Sequence, residues 1–145
     1  GGQALYIGLN HPNMFAWVGS FSGAIIAWPG AMMPAEAPVR KGASEPLIPH
    51  LNLNTAAIMQ NVPDLNESIN GKLRLLYISC GGDDGLITSM KEFETWLSAH
   101  KIRYTERVIP GYGHVWSVWR KSLVDVAPLL FRPVPATERP EGPSR

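Results

Sequence analysis

Two residues of this 145-residue chain have the types and setting for proton transfer: Asp84, in the turn Gly81-Gly82-Asp83-Asp84-Gly85, and His114, in the turn Pro110-Gly111-Tyr112-Gly113-His114. An imidazole exchanges a proton near neutral pH. A carboxylate beside it holds one tautomer and stabilises the imidazolium that forms during attack by a neighbouring nucleophile. Such a pair serves a hydroxyl, which attacks poorly until a base removes its proton. Taken singly, each residue has an ordinary reading, since a histidine in a glycine-rich loop is commonly a surface residue and an aspartate suits a turn. Their order and their setting at the ends of predicted strands strengthen the functional reading.

Those elements follow from the hydrophobic pattern. Residues Gln3 to Asn10 favour a short helix, which His11-Pro12-Asn13 breaks because proline disfavours helical geometry in the residue before it. The nearly continuous apolar run from Met14 to Phe21 predicts a strand covered on both faces, closed by Ser22-Gly23. From Ala24 to Asn70 prolines recur at 29, 34, 38, 46, 49 and 63, which predicts a long loop with one short helix near Asn54 to Gln60. Leu73 to Cys80 is a second buried-strand candidate. After the Asp84 turn, Ile87, Met90, Phe93, Leu97 and His100 recur at helical spacing. Ile102 to Ile109, more polar, predicts a strand nearer the sheet edge. After the His114 turn, Trp116, Trp119, Leu123, Val126 and Leu130 predict the apolar stripe of a closing helix.

Buried strands alternating with helices imply an α/β fold, a mostly parallel sheet with helices on both faces. In such sheets ligands bind beyond the carboxyl ends of the strands, where Asp84 and His114 both fall. An acid followed by a histidine is also the order in which an α/β-hydrolase presents the last two members of its triad. The spacing of 30 residues leaves room for one helix and one strand between neighbouring parallel strands. Beyond Phe131 the composition turns to proline and polar residues, which predicts a folded part over 1–131 and a disordered tail over 132–145.

Composition narrows the field. A chain of this length with 45% hydrophobic residues supports one globular core. Thirteen Lys and Arg against twelve Asp and Glu, scattered along the chain, point to neither nucleic acid nor an anionic membrane. Cys80 is the single cysteine, so no intrachain disulfide is possible, and its place at the end of an apolar run predicts a buried small hydrophobe. No ligand spacing suggests a metal, and no glycine-rich phosphate loop suggests a nucleotide, so no cofactor is expected. His11, His50 and His100 read as turn, loop and helix-end residues.

The stretches Cys80-Gly81-Gly82-Asp83-Asp84-Gly85-Leu86-Ile87 and Gly111-Tyr112-Gly113-His114-Val115-Trp116-Ser117-Val118-Trp119-Arg120 resemble the esterase family of α/β-hydrolases that includes feruloyl and acetyl xylan esterases. The opening Gly1-Gly2-Gln3-Ala4-Leu5 resembles the segment after that family's Gly-x-Ser-Met-Gly-Gly nucleophile elbow. Phe21-Ser22-Gly23-Ala24 and Asp64-Leu65-Asn66 fit its intervening segments. The resemblance covers most of 1–131. It implies the C-terminal part of an α/β-hydrolase fold, with Asp84 as the acid, rather than its neighbour Asp83, and His114 as the base. It implies a serine two residues ahead of Gly1, so the chain by itself is expected to be inactive. It further implies a carboxylic ester as substrate, small or polysaccharide-linked, and leans towards export from the cell.

No serine within the chain has glycines at both minus two and plus two, so Gly19-Ser20-Phe21-Ser22-Gly23 is not expected to hold a nucleophile. Ser22 instead suits a pocket floor. Trp116 and Trp28 are candidate substrate-binding residues, set against the simpler reading that tryptophans at helical spacing pack the core, which is preferred for Trp116 and more strongly for Trp119. Two other functions stay open at this level. One is a non-catalytic binding module on the same fold; the other is a different serine hydrolase, such as a peptidase or thioesterase.

Overall fold

The computed structural model describes residues 1–33 and 52–132. The chain adopts the expected α/β class. Strands β1 (Trp17–Phe21), β2 (Leu75–Gly81) and β3 (Thr105–Ile109) form an all-parallel sheet in the order β1-β2-β3. Helices α1 (Gly2–Asn10), α2 (Ala56–Asn61), α3 (Ile87–Ala99) and α4 (Trp116–Val126) connect and flank them. Phe21 pairs with Ser79, and Gly81 with Ile109, so the carboxyl ends of all three strands lie along one edge.

Both faces of β2 are covered, and its residues from Leu76 to Gly81 are all buried. Leu76, Ile78 and Cys80 point into the main core, where they join Leu5 and Leu9 of α1 and Met90, Phe93 and Leu97 of α3. Gly8 brings α1 against the sheet, because a Cβ there would sit 2.5 Å from a Val18 methyl. The alternate residues of β2 face α4, where Ser79 Oγ donates to Ser122 Oγ at 2.8 Å and Ser122 Oγ donates to the Val118 carbonyl at 2.9 Å. Helices therefore cover both sides of the sheet.

Three differences from the sequence expectations have physical causes. The first strand begins at Trp17, since Met14 and Phe15 lie on a turn closed by hydrogen bonds to the His11 carbonyl and stay exposed. In α4 the buried positions are Val118, Ser122 and Val126, so of the expected stripe Val126 is buried while Trp116 and Leu123 are 69% and 56% exposed. With this rotation Val118 and Val126 pack against the sheet and the buried Ser79 hydroxyl finds a partner in Ser122. The long excursion after β1 also carries two short 3-10 turns, Ile25–Ala27 and Glu67–Gly71, besides the expected short helix, which spans Ala56–Asn61. The tail expectation and the loop reading of His50 fall on residues outside the described ones.

Cys80 is fully buried, as a small hydrophobe would be, and β3 is the more exposed edge strand. No helix among the described residues is long and apolar enough to cross a membrane. Glu94 is a buried charged residue. It is 2% exposed on α3, with the Lys91 ammonium 3.2 Å from one oxygen and no well-formed hydrogen bond to either. Burial first, and the nearby Glu106 charge second, push its carboxyl up to about 7.

Candidate active site

The turns after β2 and β3 are stitched together by their backbones. Gly82 N–H donates to the Ile109 carbonyl at 2.8 Å, and Asp83 N–H donates to the Tyr112 carbonyl at 3.0 Å. This approach needs glycine at 81: a Cβ there would lie 2.0 Å from the Tyr112 carbonyl oxygen and 2.8 Å from that of Gly113. Gly111, at φ +74°, takes the left-handed conformation that turns the chain back toward β2. The glycines that made these segments look like plain turns are what let them touch.

That contact sets the two polar side chains. Asp84 is 3% exposed, and its Oδ1 accepts from the Leu86 N–H at 3.0 Å, a short local bond that fixes the carboxylate. Its Oδ2 lies 3.0 Å from His114 Nδ1. An ionised carboxylate only accepts, so Nδ1 carries the donated proton and Nε2 is left to take one from elsewhere. Asp83 is exposed and does not meet the imidazole. The two partners differ in access: the Asp84 side chain is 1% exposed and that of His114 48%.

Other groups gather at the same strand ends. Ser22, buried and at φ +46°, extends the β1–β2 ladder by donating its N–H to the Ser79 carbonyl at 2.7 Å. A non-glycine residue in that region is strained, and such strain tends to sit where the surroundings impose it. The Ser22 hydroxyl makes no well-formed hydrogen bond among the described residues and, with the Asp84 carboxylate, lies beside the Cys80 thiol. Burial and then the Asp84 charge push that thiol up to about 12, so Cys80 stays protonated and is not a nucleophile at neutral pH. Gly1 reaches this edge as well, since a Cβ on it would meet Gly23 Cα at 2.5 Å. The start of α1 therefore abuts the turn after β1.

The candidate tryptophans separate. Trp116 opens α4 two residues after His114 and is largely exposed. Trp28 is 6% exposed, donates its indole N–H to the Gly2 carbonyl at 3.1 Å and packs edge-on against Tyr6 and Phe93. It sits in the core beneath α1. Trp119, which the sequence reading gave to the core, instead lies 5.3 Å from the His114 ring at an interplanar angle of 82°. Helical spacing alone could not distinguish these places. Among the described residues no three His, Cys, Asp or Glu side chains come together as a metal site.

Chemically the arrangement is a buried acceptor, an oriented imidazole and an open second nitrogen, which is what general-base activation of a hydroxyl requires. No family model matches the chain. Among solved structures, a ferulic acid esterase is similar, with a TM-score of 0.57 and 25% sequence identity over 88% of this chain and 46% of that one. The chain thus spans a little under half the length of that esterase.

Proposed function

We propose that this chain carries the acid and the base of a carboxylic ester hydrolase, Asp84 and His114, working through an acyl-enzyme intermediate on an α/β-hydrolase fold. The carrying observation is the 3.0 Å contact between Asp84 Oδ2 and His114 Nδ1 across the ends of two adjacent parallel strands. In this reading a serine hydroxyl gives its proton to His114 Nε2 as it attacks the ester carbonyl. The alcohol leaves with that proton, and water, activated the same way, releases the acid. Asp84 keeps the imidazole in the Nδ1–H tautomer throughout.

We assign the serine to the segment ahead of Gly1 in the complete protein. The sequence resemblance supports this, and so does the position of Gly1 against Gly23 at the strand ends. The serines on the described edge are unsuited to attack, Ser20 and Ser22 being buried. The similarity to a ferulic acid esterase favours an ester of an aromatic acid, and exposed Trp116 is the surface we assign to its ring. In the complete protein, His114→Ala is expected to lower kcat/KM for a feruloyl ester by about four orders of magnitude. Steady-state hydrolysis of that ester decides it, and near-normal turnover would remove His114 from the mechanism.

A further inference from the structure

We infer that Trp119 is a positioning residue for His114, a role that rests on the ester-hydrolase reading and adds to it. Among the described residues the imidazole is held at one nitrogen, and with 48% of its side chain exposed it has room to swing off Asp84. Trp119 supplies the lateral wall. Its ring meets that of His114 at 5.3 Å and 82°, and Trp116 in turn meets Trp119 at 5.6 Å and 89°. Edge-to-face contacts of this kind are favourable and orientation-specific.

Two further observations set Trp119 apart from an ordinary core residue. Its indole Nε1 is buried without a hydrogen-bond partner among the described residues. Burying that donor costs stability that a leucine or phenylalanine of similar placement would not lose, so volume filling does not account for a tryptophan here. The rotation of α4 is set independently by Val118 and the Ser79–Ser122 hydrogen bond, which fixes Trp119 at the flank of the helix where His114 sits. The helix is thereby held on the sheet while the Trp119 ring meets the imidazole.

The test uses the full chain and the His114 Nδ1–H proton, which resonates downfield of the backbone amides when a carboxylate holds it. In Trp119→Leu and Trp119→Met its exchange with water is expected to quicken about tenfold or more, while Trp119→Phe, which keeps an aromatic edge, stays within about threefold of the parent. Far-ultraviolet circular dichroism establishes that each variant is folded. Unaltered protection of that proton in a folded Leu or Met variant would overturn the inference. Unfolding of both would overturn it too, by showing that the ring serves the core. Absence of ester hydrolysis in the complete protein would instead defeat the functional reading and leave this proton signal unchanged.

Discussion

The two strand-turn-helix units that meet at the candidate site are built differently. The unit carrying Asp84 is interior: β2 is buried almost throughout, and α3 sets Met90, Phe93 and Leu97 into the main core. The unit carrying His114 lies at the rim. Thr105, Glu106 and Arg107 of β3 are exposed, and α4 buries three residues while leaving Trp116, Leu123 and Val124 in solvent. The carboxylate thus has a buried seat and the imidazole an accessible one. This division suits the proposed chemistry, because the carboxylate only has to stay put, whereas the imidazole must hand a proton to and from a reacting group.

The contrast is broken most severely where the units touch. Gly81→Ala would drive a methyl group into the Tyr112 carbonyl, a backbone atom that moves only if the whole turn moves. We expect a loss of about 3 kcal/mol or more, a fall of roughly 10 °C in Tm, and separation of Asp84 from His114. Thermal melting followed by circular dichroism measures the first. An alanine variant as stable as the parent would mean that the two turns are not in contact.

A smaller effect is expected inside the acid-bearing unit. Glu94 is held at a carboxyl value raised to about 7, above its ordinary 4.5, chiefly by burial. The folded state therefore binds a proton that the unfolded state has released between those values. Stability from this group is full below about pH 4.5 and is lost as pH rises through about 7. Glu94→Gln removes the buried charge, and should raise Tm by roughly 5 °C at pH 8 and by little at pH 5. Melting curves at the two pH values test this, and an equal change at both would locate the effect elsewhere.

The rim should be the most tolerant. Trp116→Ala is expected to leave stability within about 0.5 kcal/mol, as surface substitutions usually do. In the complete protein we expect it to raise KM for a feruloyl ester about threefold to tenfold with kcat nearly unchanged, the signature of lost ground-state binding. Parallel assays with an acetyl ester sharpen the point. An equal rise for both esters would argue against an aromatic contact.

Much of this organisation was legible in local pattern. The period of α3 is legible at Met90, Phe93 and Leu97 because their neighbours are apolar, although Ser89 and the charged Glu94 are buried beside them and His100 at the helix end is exposed. The buried run of β2, the edge character of β3 and the turns bearing Asp84 and His114 are legible for the same reason. In α4 the rule failed. The face turned to the sheet is Val118, Ser122 and Val126 rather than the one holding Trp116 and Leu123, and no reading of one helix reveals the Ser79 hydroxyl that Ser122 meets 43 residues away. The same blindness covered Trp28, whose indole finds a carbonyl near the chain start, and Trp119, whose ring finds an imidazole.

What the amino-acid order determined by itself was therefore the inventory and its rhythm: an alternation of strands and helices, glycines at two turns, and an aspartate and a histidine each a few residues past a strand. Only the tertiary structure decided that the Asp84 carboxylate reaches the imidazole, which serines are hidden and which tryptophan stands beside the ring. Periodicity reports how a segment faces a nonspecific apolar core, because burial depends only on area. Hydrogen bonds and ring contacts depend on distance and angle between segments far apart in sequence, and those are settled when Gly81 and Tyr112 come together.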